Sequence, residues 1–145
     1  MRVVGAFLFF ASSILPASST PREQTAYERL LNAIEVHSVS EVNNALASGA
    51  DPNRKNGDGI TPLAAATRLS FADIIEVLLK NGADPNLKDG GATPLYYAAL
   101  FDCKKCADIL SVKGGILRAD EGQIKYLEKF EHFKSSIYWR KYLEY

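Results

Sequence analysis

The sequence predicts an all-α solenoid of about three helix-pair repeats, closed by an aromatic C-terminal helix. Three observations predict it. The pentapeptide Gly-Ala-Asp-Pro-Asn occurs at residues 49–53 and again at 82–86, a period of 33 residues. Thr-Pro-Leu follows each copy, at 61–63 and 93–95. Between the copies runs an apolar stripe, Ile74, Ile75, Val77, Leu78 and Leu79, ended by Gly82. Each feature has a local reason. Thr caps a helix by accepting a backbone N–H. Pro fits the first helical position, where its missing N–H costs nothing. Gly suits the left-handed residue that ends a helix.

A period near 33 with Thr-Pro-Leu in each unit resembles the ankyrin repeat. The resemblance covers roughly residues 26–117 and implies an ankyrin-repeat solenoid, each unit two short helices and a hairpin loop. The family usually carries His after Thr-Pro-Leu; Ala64 and Tyr96 stand there instead.

Taken in order, the chain opens with an arginine, an apolar run from Val3 to Leu15 and the small residues Ala17, Ser18 and Ser19. That is the layout of a secretory signal peptide. The run is too short to span a bilayer, which takes roughly 20 apolar residues. Residues 1–19 are therefore expected to be a cleaved signal peptide, and the mature chain to be periplasmic or secreted. Residues 20–117 form the repeats. Residues 26–49 make an N-terminal capping repeat, with helices over 26–36 and 39–48 and no Thr-Pro-Leu. End repeats depart from the pattern because one face meets water. Residues 50–82 are the second repeat, with a hairpin tip over 54–60 and helices over 61–68 and 71–81. Residues 83–117 are the third, with a tip one residue shorter and helices over 93–100 and 106–112. Residues 118–145 form the C-terminal capping helix. Asp120 and Gln123 make a capping box. Tyr126, Leu127, Phe130, Phe133, Ile137 and Tyr138 then share one face, within about 120° of each other. Trp139, Tyr142 and Leu143 lie nearly opposite: exposed if the helix runs on, folded back if it ends near Ile137.

Composition limits function. Seventeen basic residues balance seventeen acidic ones, so nothing electrostatic points to nucleic acid or an anionic membrane. Asp51, Asn53, Asp84 and Asn86 mimic the start of a calcium loop. The next alternate residues, however, are Lys55 and Lys88, and no Glu closes either loop. No phosphate loop or nucleophile motif is present. Catalytic residues, metal ligands and cofactors are expected to be none. Cys103 and Cys106 form a C-x-x-C with three readings: a local disulfide, two unpaired thiols, or a thiol–disulfide exchange site. No thioredoxin-like pattern surrounds them.

What remains is a surface. Ankyrin repeats bind through their hairpin tips and the concave face of their first helices. Carried onto this chain, the resemblance implies partner contacts at Asp58, Ile60, Arg68 and Leu69 in the second repeat. In the third it implies Tyr96, Leu100 and Phe101. It implies another protein as partner, with no nucleic acid and no membrane for the mature form, and a monomer unless the C-terminal aromatics self-associate. Among small exported chains of this kind two roles fit. One is an immunity-type inhibitor of a toxin or lipase effector. The other is an accessory factor that stabilises a periplasmic enzyme, for example in oxidant resistance.

Overall fold

The computed structural model describes residues 24–143; the leader expected over 1–19 lies outside them. Three helix pairs come first: α1 (Ala26–Glu35) with α2 (Val39–Ala47), α3 (Pro62–Arg68) with α4 (Ala72–Lys80), and α5 (Pro94–Leu100) with α6 (Lys104–Val112). Three more helices follow: α7 (Glu121–Leu127), α8 (Glu131–Lys134) and α9 (Ile137–Arg140). None of the described helices is long and apolar enough to cross a membrane.

Helix starts follow the capping chemistry. Thr25 and Glu28 form a capping box for α1, and Asp120 and Gln123 form one for α7. Thr61 accepts from the Ala64 N–H at 3.2 Å. Thr93 departs from expectation. Its hydroxyl leaves the helix end, donates to the carbonyls of Ile116 and Arg118 and accepts from the Arg118 N–H at 2.9 Å. It therefore ties the third repeat to the segment beyond it. α6 begins at Lys104, earlier than the expected 106, because Cys103 takes the N-cap and its sulfur accepts from the Cys106 N–H.

Each second helix ends in the same way. Gly82 adopts φ 89°, and the Ala83 N–H reaches back to the Leu78 carbonyl at 3.0 Å. After α6 the corresponding pair is Gly114-Gly115. A Cβ on Gly115 would sit 2.7 Å from the Leu110 oxygen, so only glycine fits.

First helices pack on first helices and second on second, α1 against α3 against α5 and α2 against α4 against α6. Leu30, Ile34, Leu63, Ile74, Ile75, Leu78, Leu95 and Leu110 fill one continuous core. Ala64, Ala66, Ala98 and Ala99 are fully buried, and their small side chains let the helices approach closely. The pentapeptide supplies the ties between units. Asn53 donates to the Gly82 carbonyl (2.9 Å) and accepts from the Asp84 N–H (2.7 Å). Asn86 repeats this one unit on, with the Gly114 carbonyl and the Ile116 N–H, both at 2.9 Å.

The C-terminal segment differs from the expected single helix. It breaks after Leu127 and again after Lys134, and each break resets which side faces inward. Leu127 and Phe133 are buried, but Ile137 is 85% exposed and Trp139 is fully buried. The indole N–H of Trp139 donates to the Asp102 carboxylate at 2.9 Å. The Tyr138 hydroxyl lies 2.7 Å from both the Lys104 carbonyl and the Asp108 carboxylate. These long-range contacts, to α6 and the loop before it, outweigh the local periodicity. Trp139 is thus spent on its own chain, and Tyr142 and Leu143 are half-buried rather than exposed.

Candidate functional site

Asn56 organises the second hairpin tip. Its backbone N–H donates to the Ile60 carbonyl (2.9 Å), and its side-chain oxygen accepts from the N–H groups of Asp58 (3.0 Å) and Ile60 (2.9 Å). An Asx-type turn of this kind fixes a tip without a strand. It leaves the Asp58 side chain exposed and sets Ile60 half-buried against the core.

Behind the tip, Leu31, Ile34, Glu35, Ala65, Arg68 and Leu69 complete an open groove of about 360 Å³ with Asn56, Asp58 and Ile60. It lies between the first and second repeats. Asp58, Ile60, Arg68 and Leu69, expected from sequence to meet a partner, all line it.

Arg68 is held in place. Its guanidinium stacks on the Tyr97 ring, 4.3 Å from the centroid, and one nitrogen lies 3.0 Å from the Asp89 carboxylate. Such stacking is favourable when the cation is partly desolvated. The Tyr97 hydroxyl donates to the Asp89 carbonyl at 2.8 Å, closing the cluster onto the third tip. The ion pair is close but poorly aligned: Arg68 Nε and Asp89 Oδ2 have no hydrogen-bond partner among the described residues. Burial pushes the Asp89 carboxyl above the usual range, against the opposing pull of Arg68 and then Lys55. Arg68 is therefore a fixed, half-exposed edge of the groove rather than a mobile side chain.

In the third repeat Phe101 is exposed at the end of α5 and Leu100 is half-buried against the core. Tyr96 corrects the expectation. It is only 4% exposed and offers no surface to a partner. The position after Thr-Pro-Leu points inward in both units, since Ala64 is buried as well. Burial raises the Tyr96 phenol pKa, with smaller contributions from Tyr97, Asp120 and Tyr126.

Three first-repeat counterparts of these positions were not expected from the sequence: Leu31 and Glu35, which line the groove, and Val36, at the end of α1. The signal was available. Moving Ala64, Arg68 and Leu69 back by the 33-residue period lands on them. The missing Thr-Pro-Leu made the first repeat read as a cap rather than as part of the face.

Cys103 and Cys106 are joined in a disulfide, with Cα atoms 5.2 Å apart. Cys106 is fully buried, which suits a fixed loop rather than exchange with an incoming thiol. Among the described residues no group of three or more His, Cys, Asp and Glu side chains is placed to hold a metal ion. His37 lies against Asp73 at 3.0 Å, and His132 against the Ala99 carbonyl at 3.0 Å.

A family profile described as ankyrin repeats, three copies, matches residues 30–118, more than half of the chain. The chain belongs to the ankyrin-repeat family. Among curated proteins no relative matches it. Ankyrin repeats generally mediate binding to other proteins and are generally non-catalytic, so membership makes this chain a protein-binding module. The groove, the tips and the ends of the first helices are the surface that such a repeat stack offers.

Proposed function

We propose that this ankyrin-repeat protein is exported to the periplasm or cell exterior and binds another protein there through its concave face. In this role it acts as an immunity-type inhibitor of a toxin or lipase effector. One observation carries the binding surface: Asp58, Ile60, Arg68 and Leu69 converge on a single open groove, with Arg68 already oriented by Asp89 and Tyr97. A preorganised face loses little freedom on binding, which suits a blocking protein. Export is supported by the leader-like residues 1–19 and by the disulfide, a bond favoured in oxidising compartments.

The test is affinity capture with the purified protein from its own cell envelope, followed by assay of the captured partner. The expected result is one enzyme or toxin whose activity falls as the ankyrin protein is added. The Leu69→Asp variant should lose both capture and inhibition. A partner whose activity rises or survives longer would replace inhibition with the accessory role. Capture unaffected by Leu69→Asp and Arg68→Ala would remove the concave face from the account.

A further inference from the structure

Val36, Leu69 and Phe101 hold one structural position in successive repeats. Each is the C-cap of a first helix. Each is followed by a residue in the left-handed region: His37 at φ 55°, Ser70 at 58°, Asp102 at 51°. Each is exposed, by 72%, 46% and 51% respectively. The backbone thus turns out an apolar side chain at the same place three times, in a chain whose other first-helix apolar positions are mostly buried.

We propose that these residues form an apolar ladder that receives an amphipathic helix of the partner protein, laid along the stack. Its apolar side chains would recur every seventh residue, with Lys or Arg placed over Glu35 and Asp58. This rests on the reading of the concave face as a protein-binding surface, and it names the chemistry of the partner.

Two arguments carry it. The first is pitch. Neighbouring first helices pack side by side, so the ladder repeats at about the 8–10 Å of packed helices. On an α-helix the same face returns after seven residues, about 10.5 Å. Along a strand, same-face residues recur at about 6.6 Å and then about 13 Å. The helix step comes within about 0.5 Å of that range, nearer than either strand step. Three rungs require about fifteen residues of partner helix, roughly 21 Å between the first and last apolar side chains. The second argument is charge. The charged residues lining the groove beside Leu69 are Glu35, Asp58 and Arg68. Arg68 is already paired with Asp89, whereas Glu35 and Asp58 take part in none of the ion pairs among the described residues. The groove beside the middle rung is therefore acidic and complements a basic helix.

The test is selection of phage-displayed random 20-residue peptides on the purified protein. The expected winners carry apolar residues seven apart with Lys or Arg between them, and gain helical circular dichroism when bound. Leu69→Asp and Phe101→Asp should each weaken such peptides at least tenfold. Both sites are exposed, and Leu69→Ser replaces Leu69→Asp if the latter alters the free protein's spectrum. Joint Glu35→Lys and Asp58→Lys should shift selection to acidic helices. Winners with alternating or acidic patterns, or no enrichment, would overturn the proposal. If patternless winners still lose binding on Leu69→Asp, only the helix inference falls. If winners are indifferent to Ile60, Arg68, Leu69 and Phe101 substitutions, the concave-face reading falls as well.

Discussion

Ser70 sits at φ 58° in an exposed loop, a region where a side chain costs about 1–2 kcal/mol. Glycine adopts it freely but loses more freedom on folding. Ser70→Gly should therefore stabilise the protein by roughly 0.5–1 kcal/mol, read as a higher midpoint in urea. At the equivalent place in the first repeat, His37 stacks on Phe71 with ring centroids 3.9 Å apart and hydrogen-bonds Asp73. That hydrogen bond is the main cause holding the Asp73 carboxyl below its ordinary pKa. A carboxyl lowered on folding stabilises above its unfolded pKa, and the gain is lost as pH falls through the folded value. The stability difference between wild type and Asp73→Asn should thus be present at pH 6 and fade below about pH 4, the ordinary Asp range. Thermal melts across that window would show it. A difference independent of pH would mean that the carboxylate's charge is not what links these two repeats.

At the scale of elements, the repeated pentapeptide is a set of clips. Asn53→Ala removes two hydrogen bonds that cross from one unit to the next and should cost about 1–2 kcal/mol. Because repeat stacks are held by neighbour interfaces, the transition should also become less cooperative, seen as a lower denaturant slope. The C-terminal cap depends on the disulfide loop. Asp102 accepts the Trp139 indole N–H, and Trp139 is the only tryptophan in the chain. Asp102→Ala should red-shift its fluorescence and cost about 1–3 kcal/mol of cap stability, since a buried donor is left unpaired. Asp102→Asn keeps an acceptor and tolerates the left-handed backbone, so it should restore most of the signal.

The same two elements mark what the sequence made legible. Repeat period, Thr-Pro-Leu and helix-stopping glycines are local signals, and they place α1 to α6 within a residue or two. The cap is set by contacts 37 and 34 residues apart, Trp139 to Asp102 and Tyr138 to Lys104, which no local periodicity encodes. An unbroken-helix reading therefore put Ile137 on the inward face. Tyr96 was misplaced for a related reason. A large polar-tipped side chain at an inward position looks like an anchor until the third repeat and the cap bury it.

For the whole molecule, the ankyrin stack presents two unlike sides. The first-helix side carries the groove, the clamped Arg68 and the three exposed apolar C-caps. The second-helix side carries charged positions and Val112, 83% exposed at the end of α6 beside Ile109. If partner binding belongs to the first side, a photo-reactive amino acid placed at position 69 should capture the partner in the native cell, and one at position 112 should not. A discrete protein adduct is expected from position 69, with little or none from 112. Equal adducts from both positions, or an adduct from 112 alone, would contradict it.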